Sequence, residues 1–515
     1  VAAPDADAGA ASAAPVGARV SSPALRSAVD WLARVPGIVW IVLIALVAWL
    51  LEPNAYPSYD YAFSMSAAQD ILSGRDTGYT VPIYSPVAHP LTILVAIVTY
   101  PLGAAQFPVF TAIVLLAFGL LVWSVARLGT TVFNLPTGIL AGALVFLSPV
   151  IFELGVRTYG DVAFAALAVY AASLEARSPR RGWPVMVILV LAGLIRPEGW
   201  VLGGLYWLWL FPSRTWRERA GLAGLVVFAP IAWSVMDWAM TGDPTHSITH
   251  TEKYTERVGA GLGIFSTPEH IWTALTALMP TAVVIGIVAG LVFAWRHARP
   301  LAWLPFILGI TTLALTTAPS IMGDTPVLRR YLIVPAAMIA LFCAAAVAGW
   351  LRLNRGPERY AWMAIAAVIV VATAFAVPGV IAHWNTDREY QADKVMLLDD
   401  AKAFATHSPA ERYLRDPRCH PIYTPGYGYR PYLRYWLDVP TRAVAYSFLE
   451  VSPPRGSVLL PTSADRYQRA MLAGIGESTT KTVLANEDFR RRYRLVASND
   501  RWQLYGDAAC QQVSR

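Results

Sequence analysis

His89-Pro90-Leu91-Thr92-Ile93-Leu94-Val95-Ala96-Ile97-Val98-Thr99-Tyr100-Pro101-Leu102 is an apolar run whose path is ambiguous, because proline bounds it at both ends and it is short. A bilayer core of about 30 Å takes roughly 20 apolar residues in a helix. Longer apolar runs surround it, near 37–51, 107–126, 136–154, 161–175, 183–195, 200–212, 220–239, 278–295, 300–318, 331–351 and 361–382. Five connections between them are arginine-rich: Arg127; Arg177, Arg180 and Arg181; Arg214, Arg217 and Arg219; Arg296 and Arg299; Arg352, Arg355 and Arg359. If Leu91–Leu102 does not cross, all five lie on the N-terminal side, where Arg19, Arg26 and Arg34 precede the first run. If it crosses, all five lie outside, against the positive-inside rule. The run is therefore expected to be a re-entrant or interfacial helix on the outer face. That leaves about eleven spans, a cytoplasmic N-terminus and an exterior C-terminus.

Composition agrees with a membrane setting. Of 515 residues, 56% are hydrophobic and 15% charged, against roughly 25% charged in soluble domains, which excludes a purely water-soluble enzyme. The net charge of +7 does not imply nucleic acid, since the arginines sit in loops between apolar runs. Three cysteines are too few for a disulfide scaffold or a metal cluster. Residues 1–30 are rich in Ala, Ser, Pro and Gly and are expected to be a disordered cytoplasmic tail. They are not expected to be a cleaved leader, because Gly37–Leu51 lacks a small-residue cleavage site. The expected architecture is an α-helical polytopic membrane protein of the plasma membrane: tail 1–30, membrane domain 31–384, exterior α/β domain 385–515.

The outer segments carry the candidate chemistry. Tyr59–Leu72 has apolar residues at near-helical spacing and is expected to lie on the membrane surface. Asp60 begins that helix, where helix capping also explains a carboxylate. Arg196-Pro197-Glu198 tips a hairpin whose arms, at 1.5 Å per residue, reach only roughly 20 Å. Such charges line a cavity or simply pair with each other. Arg329 and Arg330 sit at the outer end of a span, against the loop trend. Their guanidinium planes suit phosphate oxygens, and interfacial snorkelling accounts for them equally well. Arg157 and Asp161 also face outward at span ends. In Thr241–Arg257, His246 and His250 stand at i and i+4 near Glu252 and could bind a metal. Gly242 and Pro244 make the entry irregular and no compact third ligand follows, so a polar lid is expected instead.

The order of these features is similar to the GT-C membrane glycosyltransferases, including protein O-mannosyltransferases and the lipid A aminoarabinose transferase. The likeness covers about residues 37–212. It rests on Asp60 after span one, His89-Pro90-Leu91 opening a second helix, Ala126-Arg127, Leu147-Ser148-Pro149, Gly160-Asp161, and Gly193-Leu194-Ile195-Arg196-Pro197-Glu198-Gly199. The family's second proline after His89-Pro90 and its second acidic residue after Asp60 are absent here. The resemblance implies transfer of a sugar from a polyprenyl-phosphate carrier to a hydroxyl on a glycan, lipid or protein at the outer face. Asp60 would be the base. Arg329 and Arg330 would steady the departing phosphate, and His89, Arg157, Asp161, Arg196 and Glu198 would bind substrate. No cofactor is required by these residues, and a divalent metal stays open. A secondary transporter, with Asp237 as its mild support, and a non-catalytic scaffold are the alternatives.

Beyond His383-Trp384 the composition is that of a soluble domain. Helical patterns fall at about 387–407, 429–437 and 464–474, and strand-like pieces at 421–424, 443–447, 457–461, 493–498 and 502–506, with Asn499-Asp500 as a tight turn. Cys419 and Cys510 are its cysteines and are well placed to pair outside the cell, two free thiols being the alternative. Tyr427, Tyr429, Tyr432, Tyr435 and Trp436 could stack on sugars or pack a core.

Overall fold

The computed structural model describes residues 35–80, 87–257, 262–424, 427–446, 455–462 and 483–514. The N-terminal tail and the 464–474 pattern lie outside the described residues. Every apolar run expected to span is helical. The first helices are α1 (Gly37–Leu51), α2 (Tyr59–Leu72), α3 (Pro90–Thr99) and α4 (Gln106–Val132). After them come α5 (Leu135–Phe146), α6 (Pro149–Val156), α7 (Gly160–Arg177), α8 (Trp183–Gly193), α9 (Glu198–Leu210) and α10 (Trp216–Thr241). The membrane part continues through α11 (His246–Arg257), α12 (Thr267–Leu278), α13 (Thr281–His297), α14 (Trp303–Met322), α15 (Ile333–Ala348) and α16 (Pro357–Ala374).

Among the described residues, five helical stretches suffice by length and composition to cross a membrane, or seven if the bent pairs α5–α6 and α12–α13 each count as one. At 1.5 Å per residue, α3 rises only about 15 Å. It starts with Pro90 in the first turn, where proline's missing N–H costs nothing. It gives way to a short 3-10 segment with Gly103 at φ 54, which turns the chain into α4.

α15 is apolar on every face and accordingly sits in the middle of the bundle, buried along nearly its whole length. Small residues let the helices close on one another. A Cβ on Gly290 would strike the Phe342 carbonyl oxygen, and one on Gly119 the Ile41 carbonyl oxygen.

α2 corrects an expectation. It is not a half-exposed surface helix, because every residue from Tyr61 to Asp70 is buried. Its polar positions are answered from the C-terminal domain: Ser66 Oγ donates to the Pro431 carbonyl at 2.8 Å, and Asp70 pairs with the buried Arg434. What looks amphipathic in sequence is a helix enclosed by apolar partners on one side and polar ones on the other.

The C-terminal domain begins without a linker. α17 (Val377–Thr406) is one continuous helix, so the composition change near 384–385 falls inside it. Trp384 packs on Phe152 of α6 at 4.2 Å between ring centroids. Then follow α18 (Glu411–Arg415), β1 (Ile422–Thr424), α19 (Arg430–Leu437), β2 (Val444–Tyr446), β3 (Ser457–Pro461), α20 (Glu487–Arg492), β4 (Arg494–Ser498), β5 (Trp502–Gly506) and α21 (Ala508–Gln511). The sheet order is β2-β1-β3-β5-β4, with β1 parallel to β2 and β3, and β5 antiparallel to β3 and β4. Asn499 Oδ1 accepts from the Arg501 and Trp502 N–H groups, closing the expected turn. Cys419 and Cys510 form a disulfide, with Cα atoms 4.5 Å apart. Cys343 is buried in α15.

Candidate active site

The site is set by two chain turns locked together before α2 and α7. Ser58 N–H donates to Thr158 Oγ1 at 2.9 Å and Ser58 Oγ to the Thr158 carbonyl at 3.2 Å. Thr158 Oγ1 in turn donates to the Tyr56 carbonyl at 3.2 Å. Thr158 holds a left-handed φ of 53, which costs a β-branched residue energy and is repaid by these bonds. The consequence is that Asp60 and Asp161, each in the first turn of its helix, are brought together.

Arg330 bridges them. Its Nη1 donates to Asp60 Oδ2 at 2.7 Å and its Nε lies 3.7 Å from Asp161 Oδ2. Asp161 also pairs with Arg196. Arg196 Nε is 3.1 Å from both Glu198 oxygens. Five charged side chains from four separate places in the chain thus form one ionic network. Its rings follow: the Arg196 guanidinium stands 4.1 Å from the centre of Tyr331, and that of Arg330 5.3 Å from Tyr159. Asp60 spends its carboxylate on Arg330, and no side chain caps α2. Capping is therefore not what fixes Asp60 here.

The hairpin tip is both things the sequence allowed. Arg196 pairs with Glu198 and also enters the network through Asp161. Arg196→Ala would leave the largely buried Glu198 without its cation and Asp161 with Arg330 alone at 3.7 Å, so we expect a loss of about 3 kcal/mol. Thermal unfolding of the purified variant measures it, and an unchanged midpoint would rule out a structural part for Arg196.

His89 caps α3 without a side-chain bond. It stands edge-on to Trp233 at 5.4 Å and within electrostatic reach of Asp60, Asp161, Arg196 and Arg330. Two buried nitrogens here, His89 Nδ1 and Arg330 Nε, make no hydrogen bond. Buried donors and acceptors nearly always have partners, so these are two positions a ligand oxygen can satisfy.

Other candidates lie apart from the network. Arg157 pairs with Glu153 and stacks on Tyr390 of α17 at 4.5 Å. Arg329 is exposed. Near them, burial and then Glu153 push the Asp387 carboxyl up to about 6, with His383, Arg157 and Arg329 opposing. A carboxyl whose folded pKa exceeds its unfolded one adds stability below about pH 4, and that stability is lost as pH rises through about 6. Wild type should therefore lose up to about 2 kcal/mol relative to Asp387→Asn across that window. Melting curves at several pH values read it, and a constant difference would contradict it.

His246 and His250 stack on each other at 5.0 Å, and His246 Nε2 lies 3.1 Å from the Tyr79 carbonyl oxygen. Glu252 is exposed. Among the described residues no three His, Cys, Asp or Glu side chains converge on one point. Asp237 accepts from Ser247 N–H and Oγ at 2.8 and 2.7 Å; it tethers the start of α11, which accounts for its place without ion transport.

Sequence reasoning passed over Tyr159, Tyr331 and Trp233, the aromatic walls of the network. It also passed over Arg434, the partner of Asp70. Aromatic residues abound in the membrane part, so nothing local marks these. The adjacency Arg330-Tyr331 is the nearest thing to a signal.

This fold, a helical bundle with a small C-terminal sheet, is similar to that of GT-C membrane glycosyltransferases of known structure. Two solved structures carry that likeness. ArnT from Cupriavidus metallidurans bound to undecaprenyl phosphate is similar at a TM-score of 0.51 and 15% identity, over 93% of this chain and 98% of that one. ArnT in the apo state gives 0.50 and 14%, over 94% and 99%. The oligosaccharyltransferase AglB from Archaeoglobus fulgidus, in complex with an inhibitory peptide and a dolichol-phosphate, gives 0.48 and 13%; the match covers 82% of this chain and 66% of that one. No family model and no curated protein sequence matches the chain.

Proposed function

We propose that this chain is a membrane glycosyltransferase that moves a sugar from a polyprenyl-phosphate carrier to a hydroxyl on a glycan, lipid or protein at the outer face of the plasma membrane. The observation that carries the reading is the Asp60–Arg330 pair at 2.7 Å: a base and a phosphate-binding cation in contact, beside two buried nitrogens that make no hydrogen bond. The ArnT likeness supports it through the fold. The topology we adopt has about eleven spans, arginine-rich loops inside and residues 385–515 outside.

In this mechanism the phosphate of the donor takes Arg330 away from Asp60, a planar cation suited to two phosphate oxygens. Asp60 is then free to accept the acceptor's proton. The acceptor oxygen bonds to the anomeric carbon as the bond from that carbon to the phosphate oxygen breaks. The electron pair stays with the phosphate, which Arg330 holds. Asp161, Arg196 and Glu198 keep Arg330 in place, and His89 offers a nitrogen to the sugar. Arg329 and Arg157 stand at the rim, and α11, with His246, His250 and Glu252, is a lid turning at Gly242, whose φ is 78.

The test is incubation of the purified chain with a panel of polyprenyl-phosphate sugars, measuring release of the lipid phosphate. Release with at least one donor is the expected result. Counterflow of a solute in liposomes without any transfer would favour a transporter instead.

A further inference from the structure

A cavity of about 1250 Å³ lies away from the ionic network, and none of the network's five charged residues lines it. Gln69 of α2 does line it. Gln69 and Asp60 are about two and a half turns apart and so on opposite faces of the helix, with the buried body of α2 between them. The cavity has two chemistries. Its lower wall is Val42, Leu46 and Trp49 of α1 with Leu116 of α4, each 39–47% exposed, which at membrane depth means open to lipid. Its upper wall belongs to the exterior domain: Tyr432, Tyr435 and Trp436, with Asp399, Lys402, Glu411 and Arg415.

From this we infer a second binding site, one for a glycolipid with an uncharged, polyhydroxylated head. The apolar lower wall takes the chains. The volume exceeds the roughly 300–1,000 Å³ of ordinary small-ligand pockets, enough for a head and the first part of its chains. The charges select the head. Three carboxylates, those of Asp399, Glu411 and Asp438, face two cations, Lys402 and Arg415. Arg415 is already held by Glu411 at 2.8 Å and by the Leu437 carbonyl at 2.6 Å. Asp438 is paired with Arg75 at 2.6 Å. A phosphate head meets no excess of positive charge here and no uncommitted guanidinium at Arg415. A sugar, whose hydroxyls both donate and accept, can use carboxylates and cations together and can lie on the ring of Trp436. Tyr435 fixes this roof to the membrane part, its hydroxyl donating to Gln106 Oε1 at 2.7 Å.

The full chain in phosphatidylglycerol nanodiscs doped with dihexosyl diacylglycerol tests this by native mass spectrometry of the retained lipid. We expect preferential retention of the glycolipid, reduced about tenfold, or about 1.4 kcal/mol, both by Ala112→Trp and by Trp436→Ala. Ala112 is an exposed residue of the lower wall, so the added indole fills the cavity without entering the core; Trp436→Ala removes head contact without adding bulk. Retention should be unchanged in Asp60→Asn and unaffected by added undecaprenyl phosphate. Equal retention of the two lipids would overturn the proposal. So would an undiminished preference in both cavity variants, displacement by undecaprenyl phosphate, or loss in Asp60→Asn. Because the readout is binding, failure here leaves the transferase reading standing, and failure of transfer leaves this site standing.

Discussion

Asp60→Asn should fold and insert like wild type yet release polyprenyl phosphate about 10²–10⁴-fold more slowly, the usual worth of a positioned general base. The amide has the shape of the carboxylate but cannot take the acceptor's proton at neutral pH. It can still accept a hydrogen bond from Arg330, so the network keeps its geometry. The stability cost is small because the pair is partly open, with side chains 25% and 23% exposed, and such pairs are worth about 1 kcal/mol or less. The assay is lipid-phosphate release with the best donor of the panel, beside a melting curve of the same preparation. Full activity with an intact fold would eliminate Asp60 as the base.

The largest stability effect is expected at a different ion pair. Asp70 of α2 and Arg434 of α19 are paired with side chains 2% and 1% exposed, and Arg75 reaches the same carboxylate at 2.9 Å. Burial pushes the Asp70 carboxyl up and the Arg434 guanidinium down to about 10. Two nitrogens of Arg434 make no hydrogen bond at all. Such a pair contributes little net stability while intact, yet removing one member strands a charge in the interior and costs about 3–5 kcal/mol. Asp70→Asn should therefore loosen the C-terminal domain from α2, seen as a lower melting temperature and faster proteolysis after residue 384. Asp70→Leu combined with Arg434→Met should recover most of that loss, because no buried charge is then left alone. If Asp70→Asn melts like wild type, the pair is not what clamps the domain to the membrane part.

The difference between these two pairs shows what could be foreseen. Asp60 and Arg330 stand out in sequence because each breaks a pattern, an acid at a helix start and a cation on the side where arginines are scarce. Asp70 and Arg434 break none; each sits in a segment where charge is ordinary. The amphipathic pattern of Tyr59–Leu72 hides its burial for the same reason, since its polar residues point to partners far along the chain rather than to water. The strands of the C-terminal domain are legible because β-branched and aromatic residues alternate there between turn signals.

Sequence alone determined the membrane setting and the helical runs, because hydropathy acts locally on each segment as it meets the bilayer. Tertiary structure alone decided that Asp60, Asp161, Arg196, Glu198 and Arg330 share one network while Arg157 does not. It also decided that α2 lies buried beneath the C-terminal domain. Side-chain pairing falls off within a few ångströms, so which charges meet depends on how helices distant in the chain pack, and no local pattern records that.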